Sequence, residues 1–316
     1  MLYLFLGDKL RLALLLGALC CFVITFLVTR FCQNLLPRDG GRKFAVNGAL
    51  SKGKPRGAGV IFVPAFAVCA LLFVPWSVEN LIYVLLTVGA MLSGYLDDAS
   101  ETPWGEYKKG LIDLILALAG AFTYLNFNGS AIAIPFTSLT VTLPAWLFIL
   151  LAVVLIWAAI NVTNCSDGVD GLSGTLTMVT LGAFAILCKT AAPEFAVMIG
   201  VFIAAILAYQ WFNASPSILM MGDAGSRAMG FFIALAAMKS GNPLIYLLLS
   251  VVLLLDGGLS IAKISLKRFL KISILKNVRT PIHDHFRKNK GWSDTQTVYR
   301  FVIVQIVICF VVLCLC

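Results

Sequence analysis

From Leu10 to Leu315 one pattern repeats: an apolar run, a short polar break, then another apolar run. A helix needs about 20 apolar residues to cross a bilayer, whose core offers no water to a bare backbone. Candidate runs lie at roughly 10–32, 57–75, 80–96, 109–126, 143–161, 172–189, 193–212, 225–239, 243–263 and 298–315. The expected fold is all-α: a polytopic integral membrane protein of about ten transmembrane helices, with residues 1–316 forming one transmembrane domain. The eighth run is short. No small-residue cleavage site follows the first, so it reads as a retained helix instead of a signal peptide.

Composition agrees. The 316 residues are 60% hydrophobic and only 12% charged, which excludes an ordinary soluble domain. A net charge of +9 raises the question of nucleic acid. In a membrane chain, however, basic loops report orientation and contact with anionic lipid headgroups, so no nucleic-acid partner is expected. Of the nine cysteines, Cys20, Cys21, Cys69, Cys309 and Cys314 lie inside apolar runs. With no CxxC pair and no His at metal spacing, they read as small buried hydrophobes.

The connections sort by parity. Those after odd-numbered runs carry Arg30, Arg38, Arg42, Lys43, Lys52, Lys54, Arg56, Lys108, Lys109, Arg227 and a dense set from Lys263 to Arg300. The other side carries only Lys9, Arg11, Lys189 and Lys239. The odd connections are therefore expected to be cytoplasmic and both termini external. Acids follow the same parity: Asp97, Asp98, Glu101 and Glu106, then Asp167 and Asp170, then Asp223, then Asp284 between His283 and His285. The polar clusters should converge on the cytoplasmic face as one active site.

Each cluster suggests a chemistry. Gly94-Tyr-Leu-Asp-Asp98 ends a helix with paired carboxylates, which can ligate Mg2+ or divide into a base and an ionised partner. A solvated loop paired with Lys108 and Lys109 is the plainer reading. Asn161-Val-Thr-Asn-Cys-Ser-Asp-Gly-Val-Asp-Gly171 sets Asn164, Asp167 and Asp170 among glycines. Amides and carboxylates of this kind can read a base or ribose edge. Helix capping accounts for one acid but not for the set. Gly222-Asp-Ala-Gly-Ser226 puts Asp223 near a helix N-terminus, which suits a metal-bridged phosphate, a plain Asp or Ser N-cap being the alternative. His283 and His285, beside Arg287, Lys288 and Lys290, suit a pyrophosphate better than a transition metal, which would lack further ligands; a solvated basic loop is the plainer reading. Ser51-Lys-Gly-Lys-Pro-Arg-Gly-Ala-Gly59 is a Gly-rich basic loop suited to phosphate, with Lys52 the candidate contact, or equally to orientation alone. Asp256, inside the ninth run, should face the bundle, with no role assigned. Together these features point to Mg2+-assisted phosphoryl chemistry at the cytoplasmic surface.

Asp97-Asp98, the Asn-x-x-Asp-Gly-x-Asp-Gly-Leu run at 164–172, Asn213 ten residues before Asp223, and Gly-Asp-x-Gly-Ser at 222–226 resemble the polyprenyl-phosphate N-acetylhexosamine-1-phosphate transferase superfamily. The resemblance covers essentially the whole chain. Pro281-Ile-His283, Lys290-Gly-Trp292 and Arg300-Phe301 look most like its peptidoglycan branch. That branch transfers phospho-N-acetylmuramoyl-pentapeptide from UDP-MurNAc-pentapeptide to undecaprenyl phosphate, releases UMP and requires Mg2+. It works in the bacterial inner membrane. The resemblance implies that Asp223 ligates Mg2+, and that Asp97 and Asp98 deprotonate or orient the lipid phosphate, Asp97 also holding metal. It implies that Asn164, Asp167 and Asp170 frame the uridine pocket and that Asn213 supports the metal–phosphate site. His283, with His285 nearby, would contact the pyrophosphate or sugar. A homodimer is compatible with the sequence and not required by it.

Two departures stand out. The family's three consecutive His are here His283-Asp284-His285, so Asp284 needs a partner such as Arg287 or a metal contact. The Lys that closely follows the Asp pair is missing, leaving Lys108 or Lys109 to substitute. Two other readings stay open: GlcNAc-1-phosphate transfer from UDP-GlcNAc to the same carrier, and a lipid or ion-coupled transporter. Transport is disfavoured because the polar residues crowd one face instead of the midplane.

Overall fold

The computed structural model describes residues 9–40, 51–100, 102 and 104–316. Arg42, Lys43 and Glu101 of the predicted loop sets lie outside the described residues. Helices dominate: α1 (Leu10–Cys32), α2 (Gly59–Phe73), α3 (Val78–Asp98), α4 (Glu106–Asn128), α5 (Ala145–Cys165), α6 (Leu172–Ala191), α7 (Pro193–Asn213) and α8 (Gly222–Lys239). Then come α9 (Pro243–Leu249), α10 (Val251–Leu270), α11 (Ile282–Lys290) and α12 (Asp294–Leu315). Between α4 and α5, β1 (Ala131–Ala133) and β2 (Thr140–Thr142) form an antiparallel hairpin with Ile132 opposite Val141.

Every predicted run is found as helix, with one change. The ninth is not a single rod: α9 and α10 meet at a bend of 68°. Among the described residues, seven helices are long and apolar enough to cross a membrane, or eight if the bent pair is one span. The protein is an all-α polytopic membrane protein. The two short runs, α2 and α8, fall below that measure. α2 has only 15 residues, and α8 carries Asp223, Arg227 and Lys239 within 18.

α8 is the axis of the bundle. It packs against α3, α5, α6, α2, α4 and α7. Every residue from Ala224 to Met238 is buried, as expected of a helix without an outward face. Phe66, Phe202 and Phe232 knit α2, α7 and α8, with Phe202 centred 4.6 Å from both of the others. α1 and α12 lie at the outside. Leu15, Leu19 and Val23 of α1, and Ile303, Val307 and Phe310 of α12, are exposed and apolar, the surface a lipid solvent accepts and water does not.

Close approach of α3 and α8 matters most for the site. A Cβ on Gly94 would overlap the backbone of Asp223, so only glycine lets the two helices meet backbone to backbone here. At the other end of the same helices, Lys239 Nζ lies 3.0 and 3.1 Å from the Glu79 oxygens and 2.8 Å from Asn128 Oδ1. α3, α4 and α8 are thus pinned at both ends.

Candidate active site

Asp97 and Asp98 are the last residues of α3, and Asp223 is the second residue of α8. The Gly94 crossing brings them together. Asp98 Oδ2 accepts from Ala224 N at 3.1 Å, so an acid from one helix caps the N-terminus of another. Free N–H groups and the helix dipole favour negative charge there. Gly222 makes the cap possible: its φ is +66°, and a Cβ on it would overlap Asp98 Oδ2.

Two cations hold these acids. Lys109, in the first turn of α4, pairs with Asp97 and lies 3.1 Å from Asp223 Oδ2. Arg56 comes from the loop before α2. Its Nη2 is 2.8 Å from Asp98 Oδ1 and 3.4 Å from Asp223 Oδ1, and its Nη1 is 3.5 Å from Asp39 Oδ1. Burial works against the Arg56 cation, but Asp98, then Asp223 and Asp39, outweigh it and hold its pKa above the ordinary value. Trp104 N donates to Asp97 Oδ1 at 2.7 Å and fixes that carboxylate. Of the two lysines considered for this place, Lys109 reaches the acids and Lys108 sits 3.3 Å above the Trp104 ring.

The donor chemistry fits a hard divalent cation, which takes carboxylate oxygens. Lys109 Nζ between Asp97 and Asp223 marks where positive charge is held. Among the described residues, no three His, Cys, Asp or Glu groups stand close enough to form a ready-made metal cage. Carboxylates and ammonium or guanidinium groups alternate instead.

The end of α5 and the loop from it to α6, the candidate nucleotide-recognition loop, are tied to the end of α7, the segment after it and the start of α8. Asn164 Nδ2 donates to Ser226 Oγ at 3.0 Å. Ser217 N donates to Asp170 Oδ2 at 3.0 Å. Gly171 N donates to Asn213 Oδ1 at 2.8 Å, while Asn213 Nδ2 donates to Leu219 O at 2.9 Å. Asn213 therefore braces two backbones with its amide. Asp167 contributes to the negative field on Arg56.

In the basic loop, Lys52, Lys54 and Arg56 take different positions. Lys52 is exposed. Lys54 reaches in, with Nζ 3.7 Å from Asp170 Oδ2 and 3.1 Å from Ser217 Oγ, and Arg56 reaches the acids. Backbone hydrogen bonds explain the difference: Met220 N to Pro55 O at 2.8 Å and Ala58 N to Met220 O at 3.1 Å stitch this stretch to the segment before α8. Lys52 lies before the stitch.

His283 opens α11 and is almost wholly buried. Its Nδ1 is 2.8 Å from Asp256 Oδ2, and its backbone N donates to Asp256 Oδ1 at 2.8 Å. Asp256 lies in a π-helical turn, Leu254–Gly258, of α10, a local widening often found at functional sites. The Nε2 edge of His283 faces Gly168 of the recognition loop. Asp284 has the partners it needs: Arg287 Nη1 at 3.4 Å and Arg279 Nε at 3.9 Å. His285 turns elsewhere, its Nδ1 accepting from Arg279 N at 3.3 Å.

The structure thus gathers three acids, a lysine and an arginine at one helix junction of a membrane bundle. The family model for Glycosyl transferase family 4 matches residues 80–241, from α3 to just beyond α8. Across 304 residues, 90% of this chain and 84% of the relative, the sequence is 40% identical to a phospho-N-acetylmuramoyl-pentapeptide-transferase of Treponema pallidum (strain Nichols). Proteins of the same description are similar in Bartonella quintana (strain Toulouse), at 29% identity over 82% of this chain and 78% of the relative, and in a Wolbachia strain, at 27% over 81% and 82%. The chain belongs to Glycosyl transferase family 4, within its phospho-N-acetylmuramoyl-pentapeptide-transferase branch.

Proposed function

We propose that this protein transfers phospho-MurNAc-pentapeptide from UDP-MurNAc-pentapeptide to undecaprenyl phosphate, forming lipid I and releasing UMP for peptidoglycan synthesis. The reading is carried by the meeting of Asp97, Asp98 and Asp223 with Lys109 and Arg56 at one end of the bundle. Basic connections favour the cytoplasmic face of the bacterial inner membrane for that end.

An oxygen of the lipid phosphate attacks the β-phosphorus of the sugar nucleotide. The bond from that phosphorus to the oxygen bridging to UMP breaks, and UMP leaves with the electron pair. Asp98, held by Arg56 and by the α8 N-terminus, orients the attacking phosphate or accepts its proton. Asp223 and Asp97 are the residues that would hold Mg2+, which when bound neutralises the diphosphate and polarises the breaking bond. Lys109 keeps their charge compensated. Asn164, Asp167 and Asp170 read uridine from the adjoining loop, and Asn213 holds that loop in register. His283 supports it from the other side through Gly168. Partner copies of the chain enter this scheme only as an optional homodimer.

The test is UMP release by detergent-purified protein given undecaprenyl phosphate and Mg2+. UDP-MurNAc-pentapeptide should turn over and UDP-GlcNAc should not. Turnover of UDP-GlcNAc alone would reject the peptidoglycan assignment, and loss of the Mg2+ requirement would reject the metal.

A further inference from the structure

Arg56 is more than a counter-ion. The stretch Lys54-Pro55-Arg56 runs from the nucleoside end of the site to its reactive end: Lys54 Nζ touches Ser217 and Asp170, and Arg56 touches Asp98 and Asp223. In a strand-like segment, residues two apart lie on the same side, about 6–7 Å from each other. A nucleoside diphosphate bound with its base at the recognition loop and its β-phosphorus at the carboxylates has its two phosphates along that same line. Here the chain has placed its cations.

Three further observations separate Arg56 from a bystander. Its position is built: Arg56 N donates to Pro37 O at 2.8 Å, and the backbone on both sides is bonded to Met220 and Met221. Its rear is anchored, since Nη1 faces Asp39, an acid outside the reactive trio, which Ser51 Oγ holds at 2.6 Å. Its donors are not all used, because the buried Nε has no hydrogen-bond partner. Buried donors are rarely left this way without a functional reason. Guanidinium presents donors in a planar fork that matches two phosphate oxygens at once, which an ammonium cannot do.

We infer that Arg56 is a substrate-contacting residue that grips the diphosphate of the sugar nucleotide, with Lys54 steadying its nucleoside side. The inference rests on the site taking a uridine diphosphate sugar but not on which sugar it takes. When the diphosphate arrives, the edge formed by Nε and Nη2 takes phosphate oxygens, Nη2 giving up its carboxylate partners, while Nη1 on Asp39 keeps the side chain in place.

Equilibrium binding of UDP and of uridine to full-length protein in detergent with Mg2+ tests this apart from catalysis. Arg56→Met should weaken UDP by about 10- to 100-fold, the worth of a charged hydrogen bond, and leave uridine affinity within about twofold. Arg56→Lys should recover only part of the loss, because charge returns without the fork. Equal losses for UDP and uridine would mean that Arg56 merely holds the loop, and unchanged UDP affinity in Arg56→Met would also overturn the inference. Full recovery by Arg56→Lys would reduce the role to bulk charge and reject the bidentate grip. If Arg56→Met fails to fold, the Arg56→Lys comparison still decides. UMP release by the unaltered protein tests the proposed reaction separately, so the two can fail independently.

Discussion

At the scale of single residues, the site depends on a few side chains whose partners can be exchanged. Asp98→Asn keeps size and shape but removes the charge that Arg56 and the α8 N-terminus hold. UMP release should fall by about 10²- to 10⁴-fold, the range for removing a positioned acid or base, with the fold retained by circular dichroism. Asp256 and His283 form a buried pair whose energy can be isolated. A double-mutant cycle with Asp256→Asn and His283→Gln, followed by thermal unfolding, should give a coupling of about 1–3 kcal/mol. Additive losses would show that the two side chains do not act together. Asp256 was visible in the sequence only as an acid in an apolar run, because its partner lies 27 residues further on, beyond the end of α10. That Lys54 and Arg56 reach the acids while Lys52 is exposed left no mark in the sequence, since all three precede the same Gly57-Ala-Gly59 stretch.

At the scale of helices, α4 and α8 run side by side from the site and carry two charge pairs one turn apart. Lys109 meets Asp223, and one turn deeper Asp113 meets Arg227, which is 3% exposed. The signs alternate along each helix, so each charge also has an opposite one a turn away on its own helix. Asn161 Nδ2 adds a bond to Asp113 Oδ2 at 3.3 Å and brings α5 into the junction. Arg227→Met leaves Asp113 buried without its cation and should destabilise the protein by about 3–5 kcal/mol, read as a lower melting temperature in detergent. Adding Asp113→Leu should restore much of the loss, because two apolar residues replace a buried pair at little cost. If the double variant melts no higher than the single one, the deeper pair is not an isolated ionic unit. A second test addresses the crossing of α3 and α8. Gly94→Val would force the two backbones apart at Asp223, and activity should be lost even where the protein still inserts and purifies.

For the whole molecule, the recurrence of apolar runs made nearly all of the fold readable. Helix ends came within a few residues because charges and glycines mark where each run leaves the apolar phase. The bend between α9 and α10 was not readable: Leu244 to Leu255 is apolar on both sides of it, and no proline or glycine falls at Ser250. The carboxylates of the site were readable one by one. Their pairing with Arg56 was not, since Asp98 and Asp223 stand 42 and 167 residues beyond it and leave no local trace. Orientation remains a matter of charge bias, and it can be measured. In a cysteine-free background, a thiol at Lys271 should react with an impermeant maleimide only in inverted vesicles, and one at Phe136 only in intact cells.

α8 has a consequence for how the protein is made. It is the axis around which the other helices pack, yet by its own composition it is among the least suited to leave water. Each charged residue raises the cost of entering a bilayer alone by up to about 3 kcal/mol. The acid that compensates Arg227 lies 114 residues earlier in the chain, and α3 and α4 are synthesised well before α8 emerges. The counter-charges are therefore already waiting when α8 arrives, and it can enter against protein instead of lipid. Biogenesis of this enzyme is thus ordered by its own sequence: α3 and α4 precede α8, and the acidic cluster is completed by a later helix that is poorly suited to lead the way.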